Sequence, residues 1–242
     1  MRVSTSEQVS STAKWAGVGM LILFVFGVLV MQVGATAIAG QRVSGTSDVA
    51  ALNVYYNHQS LMPIYWQGGL GLLGFALFVA AFRRYLQLQT ESGLMRLLID
   101  AASIIGVIEV SVLLVVVSLQ AAMVQIAAAG PQNSSALLAV FAAWDWTYNG
   151  LLYWTEVGWL SLFSVVGWRT GAFPRLLAAF GLIVSAFHLF HTTVLMLGLP
   201  DAVTIPGTIL FVVWFIWMIV YLLRGGTARK PALASATIAP TT

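Results

Sequence analysis

Apolar residues fall into six long runs separated by short polar breaks: Trp15–Ala39, Met62–Phe82, Leu97–Ile126, Leu137–Trp168, Pro174–Leu197 and Thr204–Leu223. Each run holds enough residues to cross a hydrocarbon layer of ~30 Å at the rise of an α-helix. A helix bonds its own backbone there, so six runs predict six transmembrane helices. The expected fold class is all-α: a polytopic membrane protein built as a bundle of six transmembrane helices over residues 15–224. A polar tail (1–14) precedes it, and an Ala/Pro/Thr-rich disordered tail (225–242) follows.

Composition agrees. The chain is 60% apolar and 8% charged, with mean hydropathy +0.91. Soluble domains of this size carry about a quarter charged residues. The length fits one domain. With no cysteine, disulfides and thiolate metal sites are excluded. The first apolar run is too long for a signal-peptide core and ends without a clear cleavage site. The net charge of +3 does not imply nucleic acid. It reports orientation instead: Arg2, Lys14, Arg83, Arg84, Arg96, Arg169, Arg175, Arg224, Arg229 and Lys230 fall on one side of the six runs, and Arg42 alone on the other. By the positive-inside bias the N- and C-termini lie in the cytoplasm, and the location expected is the inner (plasma) membrane, multi-pass.

Polar residues inside the runs mark the candidate chemistry. At 100° per residue Asp145, Tyr148, Asn149, Leu152 and Glu156 share one stripe of the fourth helix. An ionised acid in mid-membrane costs ~2.5–3.5 kcal/mol on the insertion scale, so this stripe should face other helices. Trp144, Trp146 and Trp168 are expected near the interfaces. The third helix carries Glu109, with Leu113, Val116 and Gln120 on its face. The fifth carries Ser185, His188, His191 and Thr192. Counted from helix midpoints, Glu109 and Glu156 lie ~4–8 Å inward, and Asp145, His188 and His191 ~3–9 Å outward. Asp145 is therefore expected within reach of a histidine, with Tyr148 or Asn149 beside it. No Lys or Arg lies deep enough to neutralise these acids. They must be protonated, hydrogen-bonded, paired with an imidazolium or bound to a cation.

Smaller features give further expectations. Gly27 and Gly34 share a face of the first helix, and Gly68, Gly69, Gly71 and Gly74 suit close packing in the second. Ser47-Asp48 reads as the start of a short amphipathic helix on the outer surface, and His58 as a solvated loop histidine. Asp100 is expected to be solvated or paired with Arg96, and Asn133 or Ser134 to cap the fourth helix. No interrupted helix of the transporter type stands out.

Three stretches together resemble a bacterial family of uncharacterised multi-spanning membrane proteins, a domain of unknown function. They are Ile104–Gln120 with its embedded Glu, the Asp-Trp helix start in Ala142–Trp146, and the Arg-x-Gly-x-x-Pro-Arg turn in Gly167–Leu182. The outer segment Asp48–Gln59 also resembles that family's first loop. The resemblance implies a helical bundle with embedded acids at Glu109 and Asp145. It implies no activity and does not account for Glu156, His188 or His191.

Three functions fit these residues: proton- or cation-coupled transport or sensing, an intramembrane metal-dependent hydrolase, and a non-catalytic structural or assembly subunit. Graded acids and histidines suit the first. His188 and His191 at i, i+3, completed by Asp145, are the metal candidates of the second, though a weak signal. No set of residues is identified as catalytic, and no cofactor is required. The lipid bilayer is the expected partner, with a second copy or a membrane protein as candidates. A reporter fused after Thr242 should be cytoplasmic, while a cysteine replacing Thr46 should react with a reagent added outside; labelling of both ends from one side would contradict six spans.

Overall fold

A computed structural model describes residues 5–40, 47–197 and 205–226. All regular structure among them is helical, with no strand. The elements are α1 (Thr5–Ile22), a π-helical stretch (Leu23–Gly34), α2 (Ala35–Ala39), α3 (Asp48–Asn57), α4 (Met62–Gln87), α5 (Gly93–Ala128), α6 (Ser134–Trp146), a second π-helical stretch (Thr147–Leu152), α7 (Tyr153–Thr170), α8 (Arg175–Met196) and α9 (Ile205–Leu223). Five helical segments are long and apolar enough to cross a membrane: Ser6–Ala39, Gln59–Gln87, Gly93–Ala128, Arg175–Val194 and Pro206–Leu223. The expected fourth run is helical throughout, from α6 to α7, but is not among these five. Its polar stripe lowers its hydropathy.

The long helices pack as a closed ring, in the order α1, α4, α5, α7, α8, α9 and back to α1. Glycine lies at every joint. A methyl group on Gly74 would stand 2.7 Å from the Gly19 carbonyl oxygen, and one on Gly71 2.9 Å from the Gly27 nitrogen, so α4 meets the first helix backbone to backbone. Gly106 lies against Val79, Gly158 against Ile105, Gly181 against Ser164, Gly207 against Phe187 and Gly17 against Leu223. Without a hydrophobic drive between helices in lipid, such close approach is what dispersion forces need. Gly34 and Gly69, also expected at contacts, have no such close neighbour on another helix.

Two apolar cores fill the ring, called inner and outer for the sides of the membrane that the distribution of Lys and Arg leads one to expect. The inner core is aromatic, with Phe75, Phe78, Phe82, Trp159, Phe163, Phe173 and Trp214. The outer core gathers Met31, Tyr55, Tyr65, Val116, Met123, Phe141 and Trp144. Trp144 is therefore an interior ring, stacked on Tyr148 at 5.4 Å, whereas Trp146 and Trp168 are exposed.

Several local expectations change. Residues 5–14 are not a tail but the first turns of α1; Ala13 is fully buried in the inner core, and the Thr12 hydroxyl donates to the Gln8 carbonyl at 2.6 Å. The C-terminal tail beyond residue 226 lies outside the described residues. α3 starts where expected, its Ser47 hydroxyl accepting from the Ala50 N–H at 3.4 Å. It docks on α5 and α6 through Ala51, Val54 and Tyr55 and leaves Val49 outside. Asp100 pairs across the α4–α5 hairpin with Arg83 (2.8 Å) and Gln87 (3.1 Å), because Arg96 reaches the Thr90 carbonyl instead. Asn133 occupies the position before α6 but makes no side-chain cap.

At the inner end, Gly171 takes φ +69° and stops α7, its N–H bonding the Gly167 carbonyl at 2.9 Å. Phe173 then folds over Gly167. The Ala172 carbonyl exposed by this turn accepts from the Tyr85 and Tyr221 hydroxyls, joining α4 and α9 to the α7–α8 turn.

The glycine contacts give a direct test. Overpacking a well-filled interface costs ~1–3 kcal/mol. Gly74→Ala should lower the unfolding temperature in detergent clearly, whereas Gly69→Ala, in open space, should leave it nearly unchanged; equal effects would contradict the described α1–α4 contact.

Candidate functional site

The polar side chains expected at the site gather between the two apolar cores. Glu109 is 3% exposed on the buried face of α5, with Val112, Val116 and Gln120, and Leu113 beside it is partly buried against the inner core. One oxygen of its carboxyl group accepts the indole N–H of Trp159. The Thr155 hydroxyl lies beside the same carboxyl group. Thr155 gives its proton to the Leu152 carbonyl at 2.7 Å, so its lone pairs are left to accept a proton from Glu109 in its carboxylic acid form. These two donor and acceptor groups sit on α7 at positions the sequence reading passed over. A tryptophan three residues after Glu156 was the available signal, because a buried indole N–H needs an acceptor.

Glu156 lies one residue from Thr155 and close enough for its charge to act on Glu109. It faces α8, where its Oε2 is 2.9 Å from His188 Nδ1; the two side chains are 13% and 4% exposed. The contact is close in distance but outside hydrogen-bond geometry, which makes it an ionic contact when the imidazole is charged. α7 and α8 run antiparallel. The register that pairs Glu156 with His188 sets Tyr153 against His191, and the rings stack at 4.2 Å and 20°. Tyr153 also meets His188 edge-on at 5.1 Å, and Phe211 of α9 covers the other side of His188 at 4.9 Å. Tyr153 is thus the ring that fixes both imidazoles, and the sequence reading did not single it out.

Farther out, Asn149 is buried and donates to Asp145 Oδ1 at 2.7 Å, and Tyr148 stands between Trp144 and Tyr153. The carboxylate beside His188 is therefore Glu156, not Asp145. Asp145 lies eight residues before Tyr153, ~12 Å farther along the axis at α-helical rise. The expected stripe is also bent. The π-helical turn Thr147–Leu152 holds an extra residue per turn, so Asn149, Leu152, Thr155 and Trp159 form the buried line, with Glu156 turned towards α8.

Among the described residues no three His, Asp or Glu side chains are placed to hold a metal ion, and the candidates His188, His191 and Asp145 do not form such a group. The basic side chains among the described residues lie towards one end of the bundle: Arg83, Arg96, Arg169 and Arg224 at helix ends, and Lys14 within α1 near Gly225. What the arrangement can do is hold and pass protons: two carboxyl groups, two imidazoles and a phenol follow one another across α5, α7 and α8.

A cycle of substitutions tests the Glu109–Trp159 bond. Removing one partner of a buried hydrogen bond costs ~1–3 kcal/mol, while replacing both with apolar groups is close to neutral. Trp159→Phe should lower thermal stability, and adding Glu109→Leu should restore part of the loss; strictly additive losses would mean the two side chains do not interact.

Comparison with family models, with curated proteins and with solved structures found no match.

Proposed function

We propose that this chain is a six-span inner-membrane protein, with N- and C-termini in the cytoplasm, whose interior acid–histidine cluster takes up and releases protons in coupled transport or in sensing. Support for the sixth span is the place of α6–α7 in the ring: it packs between α5 and α8, two segments that qualify as spans themselves. Support for the orientation is the ten-to-one distribution of Lys and Arg. The resemblance to a bacterial membrane family with embedded acids at Glu109 and Asp145 points the same way.

The observation that carries the reading is Glu156 at 2.9 Å from His188, beside the buried Glu109. An unpaired charge in hydrocarbon is costly, so the cluster is most stable with its charges balanced. One proton on Glu109 and one shared by Glu156 and His188 achieve this, whether the pair is an ion pair or neutral. Moving that proton from imidazole to carboxyl changes no net charge and needs no movement of a helix. Adding or removing one proton leaves a net charge, which favours a rearrangement or a counter-ion. That response is what coupling requires.

Proton binding by purified protein, followed with a pH indicator after a small acid pulse, checks this. Glu156→Gln should fold, because the amide keeps the shape and hydrogen bonding of a neutral acid. The double variant Glu156→Gln with His188→Gln should bind fewer protons per molecule than the parent over the same acid pulse. Identical proton binding by parent and double variant would leave the cluster as satisfied interior packing.

A further inference from the structure

The cluster has unlike surroundings on its two sides. Towards the inner end, Trp159 covers Glu109, and its ring lies 5.6 Å from Phe75, 5.9 Å from Phe78, 6.2 Å from Phe163 and 6.3 Å from Trp214. Phe82 continues the stack, 5.0 Å from Phe163 and 6.0 Å from Phe173. These rings come from α4, α7, α9 and the turn before α8, so they fill the cross-section of the helix ring. Among the described residues the polar side chains buried in this half of α5, α7 and α8 are serines. Ser103 and Ser185 give their protons to the Ile99 and Gly181 carbonyls of their own helices. Ser164 is left as a single hydroxyl, itself without a protein partner and so open to one water, two turns or ~12 Å from Glu156. One hydroxyl does not carry a proton through that distance.

Towards the outer end, polar groups continue without such a break. Tyr153 and His191 come one turn out, then Tyr148 and Asn149, then the half-buried Asp145. Across from them Gln120 lies on the face of Glu109, ~16 Å farther out along α5. Gln120 is 4% exposed, yet its Oε1 has no protein partner, and neither has the buried indole N–H of Trp144. Buried polar atoms are costly unless bonded, and water is the donor and acceptor that fits both.

The titratable groups facing the cluster are Glu109 from α5, Glu156 and Tyr153 from α7, His188 and His191 from α8, and Tyr148 and Asp145 from the segment before α7. α1, α4 and α9 present Phe24, Phe75, Phe78, Phe211, Trp214 and Phe215 at the level of the cluster; their titratable groups in the interior are Tyr65, in the outer core, and Tyr85 and Tyr221, whose hydroxyls bond the Ala172 carbonyl at the inner end. From this asymmetry we infer that the cluster exchanges protons with the outer face alone and is closed to the cytoplasm by the aromatic plug around Trp159. The inference rests on the proton-binding reading above and narrows it: the protein responds to acidity outside the cell and does not conduct protons across the membrane.

The chain has no cysteine, so single cysteines can be placed without further change. Asn149→Cys and Gln120→Cys should react with a small membrane-impermeant methanethiosulfonate added to right-side-out vesicles. Ser103→Cys and Ser164→Cys should stay unlabelled in inside-out vesicles. Labelling at Ser103→Cys or Ser164→Cys from the inside, or none at Asn149→Cys and Gln120→Cys from the outside, would overturn the inference. The unsubstituted protein provides a second measurement. In vesicles of each orientation, the carboxyl infrared band that Glu109→Gln removes should respond to a pH step on the outer face only. A response to the inner face would end the one-sided inference and leave the proton-binding reading intact; a band that responds to neither side counts against both.

Discussion

Every basic side chain among the described residues lies towards one end of the bundle, Lys14 within α1 included, so each carboxyl group in the middle of the bundle has only a proton or an imidazole to cancel its charge. Much of the interior follows from that constraint. Glu109 is covered by an indole and a hydroxyl, Glu156 is placed against His188, and Tyr153 holds the two imidazoles at fixed angles. An arginine in this position would settle the charges permanently. An imidazole leaves them able to change within the physiological range.

The glycines make these short distances available. Where Gly158 meets Ile105 and Gly181 meets Ser164, α7 comes close to both α5 and α8. A carboxyl group on α7 can then touch a histidine on one neighbour while its own helix supplies the indole for an acid on the other. Gly106 against Val79 and Gly181 against Trp214 likewise let α4 and α9 come inward to stack phenyl and indole rings below the cluster. Close packing and the polar seam are thus one design, since wider spacing would leave the acids to lipid or to water.

Much of the helical framework was legible in the sequence, because a membrane helix must be a long apolar run and few other structures are. The level of Glu109 with Glu156 also followed from counting residues. The partner of His188 did not. Asp145 and Glu156 differ by three turns, and midpoint counting has an error of about two; only the register of α7 against α8 separates them. Trp144 reads as an interfacial residue by type, yet its ring is buried in the outer core between Phe141 and Tyr148. The early start of α1 was hidden by its Ser/Thr-rich composition, whose hydroxyls bond back to the helix instead of ending it. Asp100 prefers Arg83 over Arg96 for a reason no local rule contains: the hairpin brings α4 alongside.

The wide turn from Thr147 to Leu152 bears on how this chain tolerates changes in length. A turn closed by i→i+5 bonds contains one residue more than an α turn. Loss of an exposed residue there, such as Leu151, lets the backbone fall into ordinary α winding while the faces before and after it keep their mutual orientation. The same deletion a few residues later, inside α7, would swing everything beyond it by ~100° and carry Trp159 away from Glu109. The helix thus carries a spare residue just outside its polar centre, and sequence length there is freer than in the turns that follow.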